Sequence, residues 1–192
     1  MVVGLTGGSG TGKSTACDFF RKRGYIIVDS DKIARKVCEK GEKCFDDIVD
    51  AFGTSVLNED GTLDRAKLGG IVFSNKEKLE LLNQITHKYI IQKNMEIIKN
   101  NPDANIVLDA PLLFEAGLDK VCHEIICVLS DIKKRAERIM ERDLITLEKA
   151  MARINSQPDD DFYIERCTHV LYNNTTVGNL VEQLENIYGG EK

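Results

Sequence analysis

The sequence predicts an α/β fold in which helices cover both faces of a five-stranded parallel sheet. Five short apolar runs are separated by segments of helical periodicity. This alternation is typical of parallel sheets, because their strands are buried on both faces. The predicted strands are residues 2–6, 25–28, 105–109, 124–129 and 168–172. A chain of 192 residues can bury a core of its own, so we expect one domain, 1–192, whose core is about 1–31 and 104–192.

The first helix follows the first strand after a run of glycines. Its predicted span is residues 13–23, where Ala16, Phe19 and Phe20 share one face and Gly24 ends the helix. The second strand then leads to a pair of aspartates.

A helical block of about residues 32–103 separates the second strand from the third. Ser74-x-x-Glu77 predicts a capping box at the start of its longest helix, which Asn101-Pro102 ends. Because the block is longer than a crossover between parallel strands requires, we expect a helical substrate-binding insert.

Three helices are predicted in the last third of the chain. The first runs from Ser130-Asp131 to Asp143, the second covers 146–155, and Thr176 caps the last. The region between the last two strands is rich in arginine, and we expect residues of about 140–165 to form a lid.

The composition excludes several classes of protein. A net charge of −5 gives no sign of the basic surface that holds nucleic acid. No run approaches the roughly 18 apolar residues of a membrane span, and the first residues do not resemble a secretory signal. The six cysteines show no C-x-x-C spacing. We expect a cytoplasmic protein with reduced thiols and neither nucleic-acid nor membrane partners.

The strongest motif lies between the first strand and the first helix. It reads Gly7-Gly8-Ser9-Gly10-Thr11-Gly12-Lys13-Ser14 and matches G-x-x-x-x-G-K-[ST] in full. Glycines let the backbone turn its N–H groups toward phosphate oxygens, and the positive end of the helix dipole faces the same anion. Lys13 should reach the β- and γ-phosphates, Ser14 should ligate Mg²⁺, and Thr15 should add a hydroxyl. The motif predicts an ATP-binding loop over residues 7–15.

The same residues argue against a dinucleotide-binding loop. That fold needs G-x-G-x-x-G, but Gly8-x-Gly10 is followed by Lys13 where the third glycine would stand. The strand before the motif and the helix after it also distinguish the loop from an incidental glycine-rich turn.

Aspartates end the second and third predicted strands. Asp29 and Asp31 should lie on the sheet edge that carries the glycine loop, because the carboxyl ends of parallel strands share one edge. There Asp31 can accept the proton of a substrate hydroxyl, while Asp29 can support the metal or cap the next helix. Asp109 ends a run resembling Walker B and is a candidate for an indirect metal contact.

Basic residues cluster between positions 133 and 166. Arg138 and Arg142 are four residues apart and share a helix face. Guanidinium groups can bind phosphate oxygens through paired hydrogen bonds and neutralise a transferring phosphoryl group. The alternative is a solvated face paired with Glu137, Glu141 and Glu148. For the cluster as a whole we expect a lid that closes over ATP.

Together these residues resemble the dephospho-coenzyme A kinase family over essentially the whole chain. The similar segments are Gly4-Leu5-Thr6-Gly7-Gly8-x-Gly10-x-Gly12-Lys13-Ser14-Thr15, Asp29-x-Asp31 with Ile33-Ala34-Arg35, Leu63-Asp64-Arg65 through Ile71-Val72-Phe73, Arg138-x-x-x-Arg142-Asp143, Arg153-Ile154-x-Ser156-Gln157, Asn173-Asn174 and the especially specific Leu108-Asp109-Ala110-Pro111-Leu112-Leu113-Phe114-Glu115. The resemblance implies a three-layer P-loop kinase fold. It also implies transfer of the ATP γ-phosphate to the ribose 3′-hydroxyl of dephospho-coenzyme A, the last step of coenzyme A synthesis.

The resemblance implies roles for individual residues as well. Asp31 would be the base, Arg142 would stabilise charge, and Lys13 would complete the catalytic set. Arg138 and Asn174 would contact the nucleotide. The implied substrate contacts are Asp31, Arg65, His87 and Leu112, and the implied metal contacts are Ser14 and Asp29.

The chain departs from the family pattern at two positions. His87 is followed by Lys88 where the family usually has proline, which could alter the geometry of the insert helix. His87 itself is either a substrate ligand or a surface helix residue. Ser9 stands where the family often has an aliphatic residue.

Two other functions fit parts of the sequence. A nucleoside monophosphate or small-metabolite kinase of the same fold would share the phosphate loop and lid. A P-loop switch protein that hydrolyses nucleotide slowly would share the loop alone, although no N-K-x-D-type guanine-reading loop is present. We expect a monomer or a weak homo-oligomer.

Overall fold

A five-stranded sheet is the centre of the computed structural model, which describes residues 1–190. Its strand order is β2-β3-β1-β4-β5. The strands are Val2–Thr6 (β1), Ile26–Asp29 (β2), Ile106–Asp109 (β3), Glu124–Leu129 (β4) and His169–Tyr172 (β5). The pairs β1–β3, β1–β4 and β4–β5 are parallel, and Leu5 of the central strand lies opposite Asp109 and Ile126. The predicted five-stranded parallel α/β fold is confirmed.

Helices connect the strands in the order that the sequence predicted, but the helical segments are divided into more separate helices. The helices are Lys13–Lys22 (α1), Ser30–Val37 (α2), Lys43–Phe52 (α3), Arg65–Val72 (α4), Lys76–Asn100 (α5), Ile132–Asp143 (α6), Leu147–Asn155 (α7), Asp160–Ile164 (α8) and Val177–Tyr188 (α9). Short 3₁₀ turns occur at Thr54–Val56 and Leu118–Val121. The short helix α8 was not predicted.

The described chain divides into two compact units, one of residues 1–28 with 101–190 and the other of residues 29–100. In the first unit, one face of the sheet packs against α1 and α9. The buried side chains there include Leu5 of β1, Phe20 of α1 and Leu184 of α9. On the other side, Leu129 of β4 packs with Tyr163 of α8. Helices therefore contribute to the core on both faces of this sheet.

In the second unit the long helix α5 is the common packing partner. Helices α2, α3 and α4 each pack against it. The buried apolar side chains of this unit include Phe45, Ile48, Leu68, Val72 and Ile90. This unit forms a helical core of its own.

Helix α5 passes through His87 and Lys88 without a break. A proline at position 88 would lack the backbone N–H and disturb the preceding turn. Lys88 instead donates to Asp47 of α3 at 2.7 Å, and the Tyr89 hydroxyl donates to the same carboxylate at 2.7 Å. Within residues 1–190, neither α5 nor any other helix is long and apolar enough to cross a membrane.

The predicted capping box at Ser74 is wrong. The Ser74 hydroxyl donates back to the carbonyls of Gly70 and Ile71, at 3.0 and 3.2 Å. Asn75 takes the capping position, where its side-chain oxygen accepts from the Lys78 N–H at 3.0 Å. Both residue types can cap, and here the hydroxyl bonds to the preceding helix. The predicted cap at Thr176 is confirmed by its bond from the Asn179 N–H.

Candidate active site

The glycine motif forms the loop between the central strand β1 and helix α1. Gly7, Gly10 and Gly12 have φ values of 133°, 77° and 104°, which side chains rarely tolerate. A Cβ at Gly7 would collide with the Val128 carbonyl oxygen. The loop therefore needs glycine both for its turns and for its close approach to β4.

The functional side chains of the motif lie at the start of α1. Lys13 Nζ donates to the Gly7 carbonyl at 2.6 Å and is 3.4 Å from the Gly8 carbonyl oxygen. Ser14 is exposed in the first turn of the helix. Thr11 is buried, and its hydroxyl donates to Gly8 at 2.9 Å. The lysine thus arches across the loop, at the helix end whose dipole attracts anions.

Arg138 and Asn173 bond to the carbonyl side of the loop. Arg138 Nη1 donates to the Gly10 carbonyl at 3.1 Å, and Nη2 donates to the Asn173 carbonyl at 3.0 Å. Asn173 Nδ2 donates to the Thr11 carbonyl at 2.8 Å. The Ser130 hydroxyl completes the group by donating to the Asn173 backbone carbonyl at 2.8 Å. These bonds occupy the Gly10 and Thr11 carbonyl oxygens of the loop. Inward-facing N–H groups of such a loop form a cradle for anions.

Two residues that sequence reasoning did not place in the site also contact the loop. Arg135 is 5% exposed, and its Nε donates to the Ser9 carbonyl at 3.0 Å. Gln157, after α7, accepts from the Ser9 N–H at 2.8 Å. Burial lowers the pKa of Arg135, and Asp160 at 3.9 Å opposes that effect. The alternation of basic residues in the sequence gave no signal that Arg135 would be the buried one.

Arg142 lies at the other end of α6, with its side chain 59% exposed. Its Nε and Nη2 donate to the Asp143 carboxylate at 2.7 and 2.8 Å. Arg153 of α7 bonds to the same carboxylate. Arg142 and then Arg153 lower the pKa of Asp143 to about 2. The acid thus holds two arginines of the predicted lid together at the surface.

Asn174 joins the loop after β5 to the start of α6. Its side-chain oxygen accepts from the Asp131 N–H at 2.8 Å, and Lys134 bonds to its carbonyl. The neighbouring residue Asn173 is buried against the phosphate loop. Asn173 therefore contacts the phosphate loop directly, whereas Asn174 contacts the start of α6.

Asp109 ends β3, beside the central strand. Its Oδ2 accepts from the Cys17 thiol of α1 at 3.4 Å. Burial, and next the nearby Asp109 charge, raise the pKa of Cys17 to about 12, so the thiol stays protonated at neutral pH. In the turn after β3, Leu112 is 55% exposed while Leu113 is fully buried. Leu112 is therefore available for a ligand contact.

The remaining predicted residues belong to the helical unit of residues 29–100. Asp29 caps α2 by accepting from the Lys32 N–H at 2.9 Å, so its capping role is confirmed. Asp31 follows in the first turn of α2 and is exposed. Arg65 donates to the Arg35 carbonyl at 3.2 Å. His87 is half-buried on α5.

The residues of the loop fit a magnesium ion bound together with phosphate. No group of three or more His, Cys, Asp or Glu side chains within residues 1–190 forms a metal cage. Mg²⁺ in phosphoryl-transfer enzymes needs no such cage, because phosphate oxygens and water supply most of its ligands. The exposed Ser14 hydroxyl is the donor that this arrangement requires from the loop.

Comparison with known proteins finds relatives that match this chain over nearly its full length. The family model described as dephospho-CoA kinase matches residues 1–179. A dephospho-CoA kinase of Lactobacillus johnsonii is 40% identical over 188 residues, covering 96% of this chain and 95% of the relative.

Two solved structures are similar over nearly the full length. A protein from Thermus thermophilus has a TM-score of 0.86 and 29% identity, covering 100% of this chain and 98% of the other. A dephospho-CoA kinase from Campylobacter jejuni has a TM-score of 0.69 and 27% identity, covering 98% and 95%. With a complete phosphate loop on the central strand and a full-length family match, the chain belongs to the dephospho-CoA kinase family.

Proposed function

We propose that this protein phosphorylates the ribose 3′-hydroxyl of dephospho-coenzyme A with ATP, giving coenzyme A and ADP in the last step of coenzyme A synthesis. The observation that carries the proposal is the complete phosphate loop, set between the central strand and α1, in a chain that the family model matches over residues 1–179. We further propose that it works in the cytoplasm as a monomer or weak homo-oligomer.

The loop's contribution is to hold the triphosphate in a fixed position. Its N–H groups and the start of α1 bind phosphate oxygens, and Lys13 spans the loop to reach the β- and γ-phosphates. Ser14 would hold Mg²⁺, with Asp29 as a supporting group. When bound, the ion neutralises charge on the phosphates. Arg138 and Asn174 would border the nucleotide.

Asp31 would act on the acceptor. An exposed carboxylate in the first turn of α2 can accept the proton of the 3′-hydroxyl while that oxygen attacks the γ-phosphorus in line with the departing ADP oxygen. Arg65, His87 and Leu112 would bind other parts of dephospho-coenzyme A. The insert, about residues 32–103, would hold the pantetheine arm.

Arg142 would neutralise charge on the transferring phosphoryl group when the lid of about residues 140–165 closes. Its guanidinium is exposed and paired with Asp143, so it can exchange one anionic partner for another. Most of the rate gain would come from positioning and from such charge stabilisation.

An acceptor screen tests the proposal. Purified protein with Mg·ATP is offered dephospho-coenzyme A, AMP or shikimate, and acceptor-dependent ADP release is measured. We expect turnover with dephospho-coenzyme A and little with the others. Preference for AMP or shikimate would favour a different small-molecule kinase, and ATP hydrolysis that no acceptor stimulates would favour a switch protein.

Two variants test the assigned chemistry in the same assay. Lys13→Ala should lower kcat by about 10²–10³-fold, whereas Lys22→Ala, exposed at the far end of α1, should be near wild type. Asp31→Asn should lower kcat far more than it changes ATP affinity. If Asp31→Asn altered only affinity, Asp31 would be a binding group and the assignment as base would be wrong.

A further inference from the structure

Three residues from separate parts of the chain meet at the first half of the phosphate loop. Ser9 lies between Gly8 and Gly10, Arg135 lies on α6, and Gln157 follows α7. We refer to Ser9, Arg135 and Gln157 as the Ser9 latch. Each of its members bonds to the other two.

We propose that the Ser9 latch is a positioning device in which Gln157 holds the phosphate loop in its ATP-binding shape. ATP as the ligand rests on the proposed function. The latch takes up the Ser9 N–H and carbonyl but involves neither Lys13 nor Ser14, so its effect would be on the shape of the loop before the nucleotide arrives.

The orientation of the Gln157 amide is fixed by its partners. Its oxygen receives two donors, the Ser9 N–H at 2.8 Å and Arg135 Nη2 at 3.0 Å. Neither donor could bond to an NH₂ group. The amide nitrogen then points to the Ser9 hydroxyl at 3.2 Å. The Gln157 N–H also bonds to the Ile154 carbonyl at 3.1 Å, which anchors the residue to the end of α7.

Arg135 fixes the other side of the same peptide. Its Nε donates to the Ser9 carbonyl at 3.0 Å, so both backbone polar groups of Ser9 are held by the latch. The guanidinium is buried, and a Cβ at Gly8 would collide with its Nη2. The fit of a buried cation against a glycine backbone leaves little freedom for either.

Restraining Ser9 has a large effect because its neighbours are glycines. Gly8 and Gly10 lack the steric limits that would otherwise define the backbone, and glycine loses more conformational entropy on ordering than any other residue. A fixed Ser9 peptide limits the loop to a narrow range of shapes. Preorganisation of this kind raises affinity without a new ligand contact.

Gln157 lies in the segment predicted to form the lid. The latch thus links the phosphate loop to that segment through side-chain bonds that a single substitution can remove. If the competent loop shape fell to about a tenth of the population, the Kd for ATP would rise about tenfold.

Gln157→Met tests the proposal, because it keeps side-chain length and removes both the acceptor and the donor. Gln157→Ala serves as a second variant, and Gln183→Ala, which removes a glutamine bonded to Tyr172 on β5, is the matched control. Calorimetry measures the Kd for Mg·ATP and, separately, for dephospho-coenzyme A. Amide hydrogen exchange measures protection of residues 7–12.

We expect either Gln157 variant to raise the Kd for ATP about tenfold and to speed exchange in residues 7–12. Affinity for dephospho-coenzyme A and exchange in β4 should stay as in the wild type. Ser9→Ala removes only the hydroxyl bond and should change the Kd less than about twofold. Adding it to Gln157→Met should change nothing further.

Unchanged ATP affinity and unchanged exchange in both Gln157 variants would overturn the proposal that the latch holds the loop in its ATP-binding shape. A loss of affinity for both ligands, with exchange raised throughout the sheet, would also overturn it, because that pattern reports general destabilisation. Failure of the wild type to bind ATP would instead contradict the proposed function. In that case exchange in residues 7–12 would still decide whether Gln157 restrains the loop.

Discussion

The two ends of helix α6 use arginine in different ways. Near its start, Arg135 and Arg138 bond to carbonyl oxygens of the phosphate loop. At its end, Arg142 is exposed and bonds to the Asp143 carboxylate. The spacing places all three on one face of the helix, yet the first two are part of the loop's support and the third is not.

The difference shows that a shared helix face does not give arginines a shared role. What decides the role is the partner that the fold brings to each turn. Loop carbonyls beside the first turns accept hydrogen bonds from the charged guanidinium groups, and Arg135 is buried there. A carboxylate at the surface instead leaves the Arg142 guanidinium accessible and exchangeable. The sequence grouped these residues into one predicted lid, whereas in the structure two of them support the loop and the third is an exposed arginine paired with Asp143.

Arg138→Met should produce the largest effect on stability. The substitution removes the hydrogen bonds that Arg138 donates to the Gly10 and Asn173 carbonyls. We expect the free energy of unfolding to fall by about 2–4 kcal/mol, because several bonds to a charged donor are lost. Urea unfolding measures it, with Arg142→Met as the matched control. Equal losses in the two variants would remove the distinction between the ends of α6.

Arg142→Met should instead affect turnover. We expect kcat to fall by about 10- to 100-fold, with the free energy of unfolding changed by less than about 1 kcal/mol, because the residue is exposed and its ion pair is screened by solvent. Steady-state kinetics and urea unfolding of the same preparation measure both quantities. Wild-type kcat in this variant would show that Arg142 is only a surface partner of Asp143.

The Asp143 carboxyl should report the same arrangement through its pKa, with a smaller effect. Its folded pKa of about 2 lies below the ordinary 3.8. Asp143 therefore contributes stability above about pH 4, and this contribution is lost as the pH falls toward 2. In Arg142→Met the pKa should rise toward 3.8, since Arg142 is the main cause of the shift.

Carboxyl NMR titration measures this pKa in both proteins. Added salt should raise the wild-type value as well, because exposed pairs are screened. An unchanged midpoint in Arg142→Met would mean that Arg153 alone holds the carboxylate.

The sequence predicted the sheet and the phosphate loop well because both depend on local patterns. The span of β4 is the one predicted, and the loop motif specified its glycines and its lysine. Tyr25 was assigned to β2 but lies before it, where its ring packs 5.0 Å from Phe20. An apolar pattern cannot distinguish a strand residue from a core residue at a strand's edge.

The support behind the loop could not be predicted because it depends on contacts between distant residues. Arg135 and Ser9 are 126 positions apart, and Ser9 and Gln157 are 148 apart. Gln157 was part of a family-like segment, but nothing in that segment indicates that it bonds to the loop. A basic residue in an arginine-rich helix is normally exposed, so the burial of Arg135 has no local signature.

The most direct test of the account is the position of the new phosphate in the product. Wild-type protein is incubated with Mg·ATP and dephospho-coenzyme A, and the product is analysed by phosphorus NMR and mass spectrometry. We predict one added phosphate per molecule, on the ribose 3′-oxygen, with an equal amount of ADP. Unmodified dephospho-coenzyme A, or a phosphate on any other oxygen, would contradict the account.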